Sequence, residues 1–458
     1  MDINFKEDSI IDLARNVNSR NLTALELVSI ALKNIEKLNP KINAFCSVKK
    51  DLAIEEARAI DRLIDHGENL PLAGIPIGVK DLEDAKGYVT TYGSNLYRDD
   101  EPATNDSILV ARLKKLGAVV VGKTNTPEFG YKGVTDNIPF GATKNPWNEE
   151  YSPGGSSGGS AAAIASGMIP LATGSDGGGS IRIPAALCGL SGIKLSHGRI
   201  PNGGPKPPGS GLLTVKGPMT KKIHDAVYVL DECMGPDPTD IFSLPLPKTR
   251  WLPELNCKPP QKVVWSSTMG FATLDDDVAE QAEHTIEKLE DAGIQVIRHE
   301  NIWPENPIFH WIVFWTTARA KAQGHLRNTK DWEKIDKNLR SQIEMGLEKF
   351  TALDYAKAID QCHLLNCRLE QVFEEAPLIL TPVIRGKTPK LFSEGTVNGL
   401  ETNDWVTFTP PINMTRNPAG TVPNGLSKDG LPTGVHIIGR QMDDLSVLKT
   451  IAALENIL

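Results

Sequence analysis

Residues 152–184 read SPGGSSGGSAAAIASGMIPLATGSDGGGSIRIP, and the order of elements in this stretch decides how the chain is built. The Ala-rich run from Ser160 predicts a helix. An apolar strand follows, and then a glycine loop that opens the next element. Glycine is costly inside helices and strands and useful where backbone must approach something closely or adopt positive φ. Its loading here is local, with 19 of the 40 glycines between residues 131 and 220. Such a concentration fits a flexible linker or a site built from backbone.

The same helix, glycine, strand order recurs outward from this stretch. It is found in SILVARLKKLGAVVVGKTN (107–125) and LDDDVAEQAEHTIEKLEDAGIQVIRHE (274–300). LAGIPIGVKDLED (72–84) contains a short apolar strand ending in Lys80, and APLILTPV (376–383) and PTGVHIIGR (432–440) read as strands. The N-terminal region reads as helices. Thr23 and Glu26 form a capping box for ALELVSIALKNIEKL, Pro40 is expected to end that helix, and Gly67 to stop the next. A capped helix closes the sequence. Strands alternating with helices predict an α/β fold, a large mixed central β-sheet with helices on both faces. Residues 201–211 read as a Pro/Gly-rich surface loop and 236–261 as a Pro-rich extended excursion. No repeat of fixed period is present.

Composition narrows the function classes. The net charge is −8 and the pI about 5.7, which argues against nucleic acid as the main partner. No apolar run approaches the ~18 residues a membrane span needs. The first residues, MDINFKEDSI, carry early acids unlike a secretory signal, so a cytoplasmic location is expected. Six cysteines do not make a disulfide scaffold, and Cys362 and Cys367 read as ordinary helix cysteines. Nine scattered histidines without an H-E-x-x-H pattern predict neither metal nor cofactor.

Four readings of the glycine loops compete. A linker does not fit the helix and strand between them. A phosphate cradle lacks the Lys-Ser/Thr pair of a P-loop and the preceding strand of a dinucleotide fingerprint. Gly154–Gly158 matches G-x-S-x-G, but no strand precedes it, and later histidines such as His363 and His436 have no flanking signature. The fourth reading makes Ser180 a nucleophile beside converging glycine amides. Its base would be a lysine kept neutral by burial, and Lys80 at an apolar strand end suits that.

At these residues the chain resembles the amidase signature family. The shared runs are GIPIGVKD around Lys80, GKTNTPEF (122–129), FGATKNPWN (140–148), SPGGSSGGSAAA (152–163), GSDGGGSIRIPAALCGLSGIKLS (174–196), GPMT (217–220), NPAGTVPNG and GLPTGVHIIGR. The resemblance implies a Ser–cis-Ser–Lys triad, with Ser180 as nucleophile, Ser156 as the bridging serine in a cis Gly155–Ser156 bond, and Lys80 as the base. It makes the amides of Gly177, Gly178, Gly179 and Ser180 the oxyanion donors. Ser157, Asp176 and Arg182 are supporting candidates, Ser157 either hydrogen-bonding within the triad or capping the loop, and the last two as a pair that fixes the loop. Asp81 and Asn125 are expected to be scaffold and Cys188 a core residue. One amidase domain over 1–458 is implied, with N-terminal helices (1–65), a signature core (66–230), and a substrate-pocket excursion with sheet completion (231–458).

The resemblance sets residues 130–137 beside the site, so Gly130 and Tyr131 are substrate-contact candidates, with packing the competing role for Tyr131. The aromatic cluster Trp303, Phe309, Trp311, Phe314 and Trp315, with Trp332 beyond, reads as core or as the wall of a pocket for an aryl or alkyl amide, Trp315 being the candidate contact. The expected partner is a small-molecule amide or carbamate, with oligoamides and esters within the same chemistry. The oligomeric state is open, a homodimer included. The A-type subunit of a tRNA-dependent amidotransferase shares the triad. That class usually has Thr after the loop Asp, Gln-Pro after the Arg and a GRVSRYG-like segment. This chain has Gly177, Ile183-Pro184 and GRIPNGGPKPP instead. A non-catalytic binding protein would have little reason to keep Lys80, Ser156 and Ser180 together.

Overall fold

Pro76–Lys80 is the middle strand of a five-stranded sheet, and all five of its residues are buried. In this computed structural model, residues 3–205, 207 and 213–458 are described. Residues 206 and 208–212, all but the last of which fall in the segment read as a surface loop and which include Gly209, lie outside them.

Pro76–Lys80 pairs in parallel with Val119–Thr124 on one side and with Leu171–Asp176 on the other. Antiparallel strands flank these, Phe45–Val48 beyond the first and Val215–Met219 beyond the second. The three parallel strands are buried at every residue, as a sheet covered on both faces requires. A six-stranded sheet runs Gln295–Arg298, Lys262–Trp265, Leu378–Pro382, Pro432–Gly439, Ala419–Leu426, Gly192–Lys194. Its first three strands are parallel and the rest antiparallel. The mixed α/β character expected from sequence is therefore present. Among the described residues the strands form ladders of five and six, with two two-stranded ribbons beside them.

Two boundaries differ from expectation. Pro40 does not end its helix, which runs Ala24–Ile42. The chain leaves it where Asn43 takes left-handed backbone (φ 55°) and its amide closes on Asn39 O at 2.7 Å. A proline in the last turn is tolerated because the following amides still find acceptors. The Ala-rich helix begins at Gly158, two residues before Ser160. The Thr23–Glu26 capping box and the capped final helix Asp444–Leu454 are as expected.

One apolar core lies between the five-stranded sheet and its helices, and includes Ile77, Val79, Val120, Ala162, Ile164 and Leu171. A second, built from Val264, Trp303, Val313, Phe314, Trp315 and Phe408, packs under the helix Ile308–Gln323. Cys188 is buried in the first core, as expected. Cys362 and Cys367 are free cysteines on the helix Ala352–Phe373.

Candidate active site

Two neighbouring parallel strands end at the same edge of the sheet, one in Lys80 and the other in Ser175–Asp176. Crevices at the carboxyl ends of parallel strands are the usual ligand sites of α/β folds. The Lys80 side chain is fully buried there. Its Nζ lies 2.8 Å from Ser156 Oγ, 2.8 Å from Ser157 Oγ and 3.0 Å from Ser175 Oγ. Burial lowers its pKa to about 7, although the charges of Glu83 and Asp176 oppose the shift. The adjacent Asp81 pairs with Lys123 at 3.2 Å. A neutral amine has two N–H bonds and one lone pair, so three hydroxyls can satisfy it without any charge.

Ser156 and Ser157 are placed by the turn into the helix Gly158–Ala165, and the Gly155–Ser156 bond is cis. Gly155 has to be glycine, since a Cβ there would meet Val134 O at 2.7 Å. The Ser157 amide donates to Ser180 O at 3.2 Å and ties the two serine-bearing loops together. Ser180 is only half buried, whereas Ser156 and Lys80 are buried.

The loop from Gly177 to Ser180 is held by its carbonyls. Trp311 Nε1 donates to Gly177 O at 3.0 Å and Thr409 Oγ1 to Gly178 O at 2.7 Å. In a trans peptide the N–H points opposite to the C=O. Pinning Gly177 O therefore turns the Gly178 amide away from Trp311. The amides of Gly177, Gly178 and Ser180 meet no protein acceptor among the described residues. Gly179 is a correction to expectation. Its amide donates to Asp176 Oδ1 at 2.7 Å, so it is engaged in holding the loop and is not free to face an oxyanion.

Asp176 and Arg182 form the expected pair, fully buried, with Nη2 to Oδ1 at 2.8 Å and Nε to Oδ2 at 2.9 Å. Burial pushes the Asp176 carboxyl up. The Arg182 guanidinium, Lys194 and the Asn413 amide outweigh it and hold the group well below the usual carboxylate range. Arg182 also donates to Asn413 Oδ1 at 2.6 Å and lies 2.8 Å from His436 Nε2. Burial, reinforced by Arg182, keeps His436 far below its ordinary pKa and therefore neutral.

The substrate-contact candidates separate. Gly130 (φ 69°) adjoins the site, because a Cβ there would lie 3.0 Å from Ser156 Oγ. Tyr131 is buried among Phe129, Ile335 and Leu339, and its hydroxyl donates to Asp336 at 2.8 Å. Trp315 backs the loop, its ring 3.1 Å from where a Gly177 Cβ would stand. Of the other aromatics, Trp311 reaches Gly177, Trp303 and Phe314 belong to the core, Trp332 packs beside Phe129 and Tyr131, and Phe309 is exposed. Asn125 is scaffold, accepting from Asn137 Nδ2 at 2.6 Å.

Ser175, Thr409, Asn413, Lys194 and the loop-anchoring role of Trp311 are not among the sequence-based expectations. Ser175 was within reach, because side chains alternate along a strand and Thr173, two residues back, accepts the Lys80 amide at 3.0 Å. Among the described residues, no group of three or more His, Cys, Asp or Glu is placed to hold a metal, and no helix is long and apolar enough to cross a membrane.

The family model described as Amidase matches residues 26–448. An acylamidase of Rhodococcus erythropolis is 33% identical over 98% of this chain and 94% of its own length. A glutamyl-tRNA(Gln) amidotransferase subunit from Desulforapulum autotrophicum is 33% identical over 95% of this chain and 94% of its own. The crystal structure of a bacterial aryl acylamidase of the amidase signature enzymes superposes with a TM-score of 0.91 at 27% identity, covering 98% of this chain and 96% of that one. Together with the buried lysine, the cis serine and the glycine loop, these similarities identify the chain as a member of the amidase family that carries the amidase signature.

Proposed function

We propose that the chain hydrolyses small-molecule aryl or alkyl amides through an acyl-enzyme on Ser180. The observation that carries this reading is the buried Lys80 amine, poised near neutral pH and within 2.8 Å of Ser156 Oγ. Ser180 attacks the carbonyl carbon as its proton passes through the Ser156 hydroxyl to neutral Lys80 Nζ. The amides of Gly177, Gly178 and Ser180 receive the charge that develops on the carbonyl oxygen. The proton then returns through Ser156 to the leaving nitrogen, because an amide anion is a very poor leaving group. The C–N bond breaks and the amine departs. Water, deprotonated by the same relay, attacks the ester and releases the acid and Ser180. Carbamates fit the same acyl transfer, as do esters.

Turnover of a neutral 4-nitroanilide by the purified chain, abolished in Ser180→Ala, tests this reading. Full turnover in that variant overturns it. The amidotransferase relative supports a second reading, which co-purification of other amidotransferase components from the native host would favour.

A further inference from the structure

The helix Ile308–Gln323 carries polar groups on a face turned inward. Trp311, Trp315, Arg319 and Gln323 recur every fourth residue and so share one stripe. The stripe begins at the glycine loop, where Trp311 and Trp315 stack with ring centroids 5.0 Å apart. Arg319 follows, its guanidinium 4.5 Å over the Trp315 ring. Arg319 is 9% exposed, and Nη1 donates to Phe129 O at 3.1 Å. Its Nε has no partner, and neither has Trp315 Nε1 or Gln323 Oε1, all three being out of water. Burial lowers the Arg319 pKa to about 10, and no carboxylate opposes that shift.

A guanidinium is among the costliest groups to bury unpaired. The position of this one suggests what it awaits. Phe129 precedes Gly130, which abuts Ser156, and Trp315 abuts Gly177. Arg319 is therefore held between the wall that carries the proton relay and the wall that carries the glycine loop. Its Nη1 is occupied, and the Nε side of the planar fork is left without a partner. That edge matches a carboxylate, whose two oxygens can take parallel N–H bonds.

We propose that Arg319 binds a carboxylate on the substrate, with Trp315 Nε1 as a second donor, so that the preferred amides are monoanionic. The carboxylate stands on either the acyl or the amine portion. This rests on the hydrolase reading of Ser180.

The test uses the full chain and two matched pairs. Glutaryl and pentanoyl 4-nitroanilide probe the acyl side, and N-acetyl-4-aminobenzoate and 4-methylacetanilide probe the amine side. In one pair the carboxylate member should have the higher kcat/KM. Arg319→Met should lower that carboxylate-to-neutral ratio about 100-fold, with Arg319→Lys retaining part of it. A ratio unmoved by Arg319→Met, or neutral members preferred in both pairs, overturns the proposal. Arg319→Gln, which can still donate to Phe129 O, serves if the Met variant does not fold.

Glutarate binding read by tryptophan fluorescence tests Arg319 without turnover. Saturation in wild type and none in the variants supports the proposal, and equal responses overturn it. Absence of turnover in all four substrates with glutarate still bound counts against the hydrolase reading alone.

Discussion

Lys80 Nζ and Ser156 Oγ lie 2.8 Å apart with both side chains withdrawn from water. The consequence is chemical. In water an ammonium would hold its proton to about pH 10 and could not serve as a base at neutral pH. Here burial brings the amine to about 7, and in the proposed relay the hydroxyl beside it links the amine to the half-exposed Ser180.

The rate should therefore follow the protonation of Lys80. With the amine titrating near 7, kcat/KM on a neutral anilide should rise about tenfold per pH unit below that point and level off above it. Lys80→Arg stays charged throughout and should cost at least roughly 10³-fold in kcat. A profile flat from pH 5 to 9 in the wild type would contradict the role of Lys80.

Ser175→Ala removes one of the three hydroxyls around the amine while leaving Ser156 and Ser157 in place. We expect kcat to fall about tenfold with KM little changed, since the lost bond orients the base and does not touch substrate. Steady-state kinetics on one anilide decides it, and an effect confined to KM would count against that placement.

The Asp176–Arg182 pair should matter more to stability than surface ion pairs do. Arg182→Met leaves a buried carboxylate without its cation, at a cost of about 3–5 kcal/mol. Urea unfolding gives the number. A loss within about 0.5 kcal/mol, the usual range for surface substitutions, would show that other donors hold Asp176.

Lys194 is another buried lysine, lowered to about 7 by burial and by Arg182. Both it and Lys80 bind protons less readily folded than unfolded. Between about pH 7 and the ordinary lysine pKa of about 10.5, the unfolded chain holds more protons and stability rises with pH. This contribution is lost as pH falls toward 7. In Lys194→Met the rise in Tm from about pH 7 to about pH 9 should be shallower than in wild type, and a parallel curve would rule the contribution out.

The sequence exposed those parts of the site that are local in the chain. Lys80 ends its own apolar strand, and Ser156 and Ser180 sit in glycine runs whose composition has few other uses. Asp176 and Arg182 are six residues apart and pair within one loop. What closes the site comes from more than 100 residues away. Trp311 and Thr409 pin the loop carbonyls, and Asn413 and His436 contact Arg182. Nothing in their neighbourhoods marks them, because their role exists only once the helices Ile308–Gln323 and Pro410–Met414 and the strand Pro432–Gly439 pack against the loop. The aromatic cluster was visible, but only packing shows that Trp311 and Trp315 meet the glycines. Gly179 illustrates the limit of composition, since three adjacent glycines look equivalent until the Asp176 carboxylate takes one amide.

In the proposed mechanism Ser180 carries the acyl group and Lys80 makes it able to. Rapid quenching of the enzyme with an aryl ester above about pH 7, followed by peptide mass mapping, tests this most directly. The acyl mass is expected on Ser180 in the wild type and is expected to be absent in Lys80→Ala and Ser180→Ala. Acyl transfer to Ser156, or undiminished acylation of Ser180 without Lys80, would contradict it.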